Sequence, residues 1–143
     1  MGPTTAALRE GLAEARPYLL SHHEPAEYHR CYSPVVAGRR VHVCARCLGV
    51  YPGIVAGLFT LALGGPVSVV LVALTGLPAL LDWTLTTFTD RSGYNVVRTA
   101  TGALLGWGYG VGLTLLLFHG RLAIVAIGLV YALVAGVLLA RSL

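Results

Sequence analysis

Residues 122–139, LAIVAIGLVYALVAGVLL, decide the fold of this chain, because eighteen consecutive residues carry no charged side chain. An α-helix rises about 1.5 Å per residue, so about 17–25 apolar residues cross a hydrocarbon core about 30 Å thick. Three further apolar runs precede this one, at residues 48–63, 67–88 and 96–118, and the first is the shortest. The pattern predicts an all-α membrane protein with about four transmembrane helices.

The composition favours lipid over water as the solvent of this chain. Hydrophobic residues make up 56% of the 143 residues and charged residues only 11%, against about 25% charged residues in a typical soluble domain. So short a chain cannot bury that much apolar surface in a water-soluble fold. All ten basic residues are arginines, and they are spread along the segments beside the apolar runs. Because they form no dense basic patch, we expect membrane lipid as a partner and no nucleic acid.

Arginine placement also predicts the organisation of the chain in the membrane. With four spans, nine of the ten arginines lie on one side and Arg121 alone lies on the other. The positive-inside rule then predicts a multi-pass protein of the cell membrane with both termini in the cytosol. Residues 1–47 form a cytosolic part, with an amphipathic helix at 4–16 limited by Pro17 and then a Cys/His-rich metal-binding segment. Residues 48–143 form the four-helix transmembrane bundle.

Glycines recur every four residues in the first and third apolar runs. The rows are Gly49, Gly53, Gly57 and Gly102, Gly106, Gly110. Such rows let helix backbones approach closely in lipid. They predict a compact bundle within one chain, with a homo-oligomer contact or a smooth pore wall as alternatives.

Three cysteines and four of the five histidines lie within residues 22–47. Cys44 and Cys47 form a CxxC motif, whose two thiolates can reach one tetrahedral ion, and thiolate with imidazole suits zinc. The predicted zinc ligands are Cys31, Cys44, Cys47 and His23, with His22 or His29 as alternatives to His23 and His42 as a group behind the ligands. A redox-active thiol pair and ordinary unpaired cysteines are the competing interpretations.

Asp82 interrupts the second apolar run, and an acidic residue at membrane depth is usually paired or functional. An ion pair with Arg98 is one interpretation. The other is a cytosol-facing pocket for an anion or a lipid headgroup, in which Asp82 is the candidate catalytic residue. The residues of that predicted pocket are Asp82, Arg91, Ser92, Asn95 and Arg98.

Two motifs carry a family resemblance. Residues 44–53, CARCLGVYPG, resemble the CARCTGIYxG signature of the domain of unknown function 2085 family of small predicted membrane proteins. A second family pattern is matched by Asp82, Arg91, Asn95, Arg98, Thr101 and Gly102. The resemblance covers roughly residues 20–106 and implies membrane class and the location of a site, but no reaction.

The chain departs from the family pattern at two places. His22-His23-Glu24-Pro25 stands where the family usually has Cys-His and a Pro-Glu-Arg-Ser-like run, and Thr86 stands where it often has glutamine. The expected function is an integral membrane protein of unknown activity with a structural zinc site and a polar pocket. The alternatives are a membrane-embedded enzyme acting on a lipid or phosphorylated substrate, and a thiol redox membrane protein or transporter.

Overall fold

The computed structural model describes residues 4–65 and 67–141, beginning with helix α1 at Thr5–Leu19. The Thr4 hydroxyl accepts a hydrogen bond from the Ala7 N–H at 3.4 Å and caps the helix. The expected end at Pro17 is wrong, because the helix continues to Leu19; proline removes one backbone donor, but its fixed φ is itself helical. Leu8 and Leu12 on this helix are exposed.

A compact hairpin follows α1 and a 3₁₀ helix at Pro25–Arg30. Strands β1 (Cys31–Tyr32) and β4 (Val43–Cys44) pair antiparallel, with Cys31 opposite Cys44. Between them β2 (Val35–Val36) pairs with β3 (Arg39–Arg40). Ala37 and Gly38 both have positive φ, the conformation that two-residue hairpin turns with matching strand twist require.

The rest of the described chain is helical. The helices are α2 (Ala45–Thr60), α3 (Val69–Thr75), α4 (Leu77–Phe88), α5 (Asn95–His119) and α6 (Ala123–Ala140). Three segments are long and apolar enough to cross a membrane, namely Val69–Phe88, Asn95–His119 and Ala123–Ala140, and α2 is a shorter apolar helix. The predicted all-α membrane class is confirmed, and about four spans agrees with three long helices and one shorter one.

The second apolar run is interrupted at Gly76, which separates α3 from α4. Pro78 supplies no backbone N–H in the first turn of α4. Carbonyl groups near the break find other donors: the Gly76 N–H bonds to the Leu74 carbonyl, and the Tyr131 hydroxyl on α6 donates to the Ala73 carbonyl. Such replacement partners are what lipid demands of an interrupted helix.

The two glycine rows pack against each other, which joins α2 and α5 along their length. A methyl group on Gly49 would come within 2.8 Å of the Ala103 backbone nitrogen, and one on Gly57 within 2.9 Å of that of Val111. Residue numbers rise together along both helices, so the helices are parallel. The rows therefore serve contact within one chain, and an interchain contact would have to use another face.

The N-terminal segment is attached to the start of α5 by polar contacts. The Asn95 side-chain amide donates to the Cys31 carbonyl at 3.1 Å. Thr99 Oγ1 lies 3.1 Å from the Tyr32 hydroxyl and 2.9 Å from the Ala45 carbonyl, to which it donates. These contacts bring the Cys/His-rich segment to the same end of the bundle as the 89–94 connection.

Candidate metal centre and adjoining pockets

Three potential metal ligands meet where the N-terminal segment contacts the start of α2. One donor atom from each of His22, His23 and Cys44 lies within 4.8 Å of the other two. The β1–β4 pairing buries Cys44 at the N-terminal end of α2. The Cys44 N–H donates to the Leu20 carbonyl at 3.0 Å, which places the following histidines beside its thiol.

Cys47 lies beside this group through its contact with His22, and we call these four candidate ligands the metal cluster. The Cys44 sulfur lies 3.4 Å from His23 Nε2, and the Cys47 sulfur lies 3.8 Å from His22 Nδ1. Tetrahedral zinc, with bonds of about 2.3 Å to sulfur and 2.0–2.1 Å to nitrogen, puts such ligand atoms about 3.6 Å apart. Both sulfur–nitrogen distances therefore suit two ligands of one zinc ion.

Glu27 fixes the orientation of the His23 ring. Its carboxylate lies 3.1 Å from His23 Nδ1, which leaves Nε2 facing Cys44. The hydrogen bond with His23 lowers the pKa of Glu27. Burial, followed by the neighbouring His23, lowers the pKa of His22 and favours the neutral ring that a metal requires. A carboxylate behind a histidine is the usual arrangement around metal-binding imidazoles.

The other predicted ligands differ in their surroundings, and Cys31 remains next to the cluster, opposite Cys44 in the β1–β4 pairing. The Cys31 sulfur is buried 3.2 Å from the Ser21 hydroxyl. The expected role of His42 behind the ligands is wrong, because its ring stacks on Tyr28 and its Nδ1 lies 2.7 Å from the Ser33 hydroxyl. His29 is exposed at the end of the 3₁₀ helix.

Burial affects the thiol chemistry of the CxxC motif. Cys47 precedes the apolar run at residues 48–63, and burial, with a contribution from Cys44, raises the pKa of its thiol to about 11. A bound cation would deprotonate such a thiol outright.

Asp82 pairs with Arg46, the residue between the two cysteines. An Arg46 Nη2 hydrogen bond reaches Asp82 Oδ2, and the Asp82 side chain is only 9% exposed. The expected Asp82–Arg98 ion pair is therefore wrong, because Arg46 on α2 supplies the cation. This bond links the metal cluster to the polar end of α4.

Arg98 has neutral partners instead. Its Nη1 donates to Asn95 Oδ1 at 3.1 Å and its Nη2 to the Ser92 carbonyl. The residue is only 4% exposed, yet in the described part of the chain no carboxylate comes within ion-pair distance of it.

Four of the five residues predicted for the polar pocket line two neighbouring cavities, and Asn95 lines neither of them. One cavity of about 490 Å³ is lined by Asp82, Arg91 and Ser92. A second, of about 290 Å³, is lined by Arg98 together with the metal cluster. Thr86 lines both of them.

The second cavity joins the Cys/His residues to Arg98 of the predicted polar pocket, and we call it the arginine cavity. Its polar lining residues are His22, His23, Arg30, Cys44, Arg46, Cys47, Thr86 and Arg98, and its other lining residues are Val50, Tyr51 and Trp83. Sequence reasoning did not assign Arg30, Arg46 or Glu27 to a site. The position of Arg46 inside CxxC and the four-residue spacing of His23 and Glu27 were the available signals.

Fold and site together define a small helical membrane protein with a polar Cys/His-rich segment folded against the start of its bundle. Residues 28–113 match the family model described as "Predicted membrane protein (DUF2085)". The chain therefore belongs to this family, which confirms the predicted resemblance. Comparison with curated proteins and with solved structures found no match.

Proposed function

We propose that this membrane protein binds one zinc ion through His22, His23, Cys44 and Cys47. The observation that carries the proposal is the pairing of each cysteine sulfur with a histidine nitrogen at 3.4 and 3.8 Å. The buried Cys44 and the carboxylate-oriented His23 support it further. This set replaces Cys31 of the predicted set with His22.

The proposed role of the zinc is structural. Four protein ligands leave no open coordination position, which is the usual distinction between structural and catalytic zinc. Residues 20–44 contain few buried apolar side chains, so a metal would supply the folding energy that this segment lacks. The ion would tie the His22-His23 stretch to the first turn of α2.

We further propose that this site faces the cytosol of the cell membrane, with both termini on that side. Arginine placement supports this orientation. The parallel packing of α2 and α5 supports only the placement of both termini on one side, because helices that run in the same direction are separated by one returning span.

Metal analysis of the purified protein in detergent tests the zinc proposal. We expect close to one zinc per chain, and loss of the zinc in Cys44→Ser and Cys47→Ser. Cys31→Ser is the matched control and should keep its zinc, because its sulfur contacts Ser21. Zinc loss in Cys31→Ser with retention in His22→Ala would support the Cys31-containing set instead. Absence of metal from the unmodified protein would reject the proposal.

A further inference from the structure

We propose that the arginine cavity binds a phosphate monoester group. The inference rests on the proposed function in one respect, because the metal-site side chains form one wall of the cavity. It adds to that function a ligand class, recognised by Arg30, Arg46 and Arg98.

Arg98 provides the first argument. A buried charge is expensive unless an opposite charge compensates it. Arg98 is 4% exposed, and its two hydrogen-bond acceptors, Asn95 Oδ1 and the Ser92 carbonyl, are neutral. Asp82 acts on Arg98 only from beyond ion-pair distance and is itself paired with Arg46, so an anion in the cavity that Arg98 lines would provide the missing direct partner.

Unmatched donors provide the second argument. Arg30 and Arg46 each pair with one carboxylate, Glu27 and Asp82, yet the Nε atom of each is buried and has no hydrogen-bond partner. A buried donor without a partner costs about 1–3 kcal/mol and calls for an explanation. Both arginines line the same cavity, so a turn of their guanidinium groups toward one polyvalent acceptor there would satisfy both.

The charge balance selects an anion over a neutral ligand. The cavity is lined by three guanidinium groups, and the two nearby carboxylates are already engaged with Arg30 and Arg46. Zinc with two thiolates and two neutral imidazoles carries no net charge, so it would leave one positive charge uncompensated. A phosphate monoester carries about −1.5 to −2 at neutral pH, which more than balances this charge, and its three acceptor oxygens suit several arginines at once.

The rest of the lining indicates where the phosphate comes from. Val50, Tyr51 and Trp83 form an apolar side of the same cavity, and Tyr51 is 68% exposed at the start of the membrane-embedded part of α2. A lipid carrying a terminal phosphate matches both sides, whereas free phosphate matches only the arginines.

Calorimetric titration of the zinc-loaded protein in detergent tests the proposal, with dihexanoyl phosphatidic acid and inorganic phosphate as separate ligands. We expect saturable binding of phosphatidic acid and weaker binding of phosphate; the reverse order would contradict a monoester ligand and indicate free phosphate instead. Arg98→Gln and Arg30→Gln should each weaken binding about tenfold, as loss of a charge-assisted hydrogen bond does. Arg39→Gln is the matched control, because Arg39 is exposed on β3 and does not line the cavity.

Absence of binding by both ligands, or equal affinities in Arg30→Gln and the unmodified protein, would overturn the proposal. Arg30→Gln keeps the test valid if Arg98→Gln fails to fold, because Arg30 is less buried than Arg98. Zinc content measured on the same samples separates the two proposals. Protein with one zinc and no phosphate binding contradicts only the cavity proposal, and arginine-dependent binding to zinc-free protein contradicts only the zinc proposal.

Discussion

His23 has a partner on each side of its ring, with Glu27 at Nδ1 and Cys44 at Nε2. The 3₁₀ helix that starts at Pro25 places the Glu27 carboxylate against the ring. This arrangement fixes both the ring orientation and the nitrogen that faces the proposed metal. The Glu27–His23–Cys44 arrangement is present without an ion, and it holds the His23 ring in the orientation that metal binding requires.

Loss of this carboxylate should weaken zinc binding. We expect Glu27→Gln to lower zinc affinity about 10–100-fold, the usual effect of removing a group that orients a ligand. Competition with a chromophoric chelator measures the affinity. Glu24→Gln is the matched control, because Glu24 is exposed and its side chain does not cap the neighbouring helix. Equal affinities for the two variants would contradict the assigned role of Glu27.

The Asp82–Arg46 pair connects α4 to the residue between the two cysteines. The pair therefore couples the position of the metal cluster to the packing of a membrane helix. Removing one partner leaves a nearly buried charge alone, which is costly.

A double-mutant cycle should identify the true partner of Asp82. We expect a coupling free energy of about 0.5–3 kcal/mol between Asp82→Ala and Arg46→Ala, the range for residues in contact. The measurement is the free energy of unfolding in detergent. The cycle with Arg98→Ala is the control and should give a smaller coupling, because Arg98 bonds to Asn95 and Ser92. A larger coupling with Arg98 would contradict the observed pairing.

At the scale of elements, the contact between α2 and α5 depends on the absence of side chains. The glycine rows allow backbone-to-backbone approach, and the gain comes from van der Waals packing because lipid provides no hydrophobic driving force between helices. The metal cluster begins one turn before the first of these glycines. Tight packing here therefore also sets the position of Cys44 and Cys47 relative to Arg98.

A single methyl group in this contact should be destabilising. In Gly53→Ala the new methyl would come within 3.0 Å of the Trp107 backbone nitrogen, so we expect a loss of about 1–3 kcal/mol, as in other overpacked sites. Gly128→Ala on α6 is the control, because a methyl there meets no atom within 4 Å. Thermal unfolding in detergent compares the two. A Gly53→Ala protein as stable as the Gly128 variant would contradict the close contact.

At the scale of the whole molecule, the arginine-rich end of the bundle carries all the polar sites described above. The N-terminal hairpin, the metal cluster and both cavities meet there. The opposite end contains the turn between α5 and α6 with Arg121. The concentration of arginines at one end of the bundle is what the proposed orientation requires.

Labelling of intact cells tests the orientation. An impermeant maleimide should label Gly120→Cys from outside, because the position lies in the turn next to Arg121. It should leave Ser92→Cys unlabelled until the cells are opened, although Ser92 is also exposed in a connection between helices. The reverse pattern would invert the proposed topology.

The sequence by itself determined the membrane class, the helix content and the family of this protein. Those properties depend on local composition: an uncharged run such as residues 122–139 has only one stable solution in lipid, a hydrogen-bonded helix. The glycine spacing likewise predicted close helix packing. The CxxC motif and the adjacent histidines identified the candidate metal segment, because ligand type and short-range spacing are visible in one dimension.

Only the tertiary structure decided which polar side chains contact one another. Arg46 rather than Arg98 reaches Asp82, His22 lies beside Cys47, and His42 turns toward Tyr28. Each choice depends on where the hairpin and α2 lie against the rest of the fold. The residues in these contacts are 14, 25 and 36 positions apart, and contacts at such separations cannot be read from the periodicity of the sequence. The arginine cavity arises for the same reason, since its lining residues come from four separate segments and only packing brings them together.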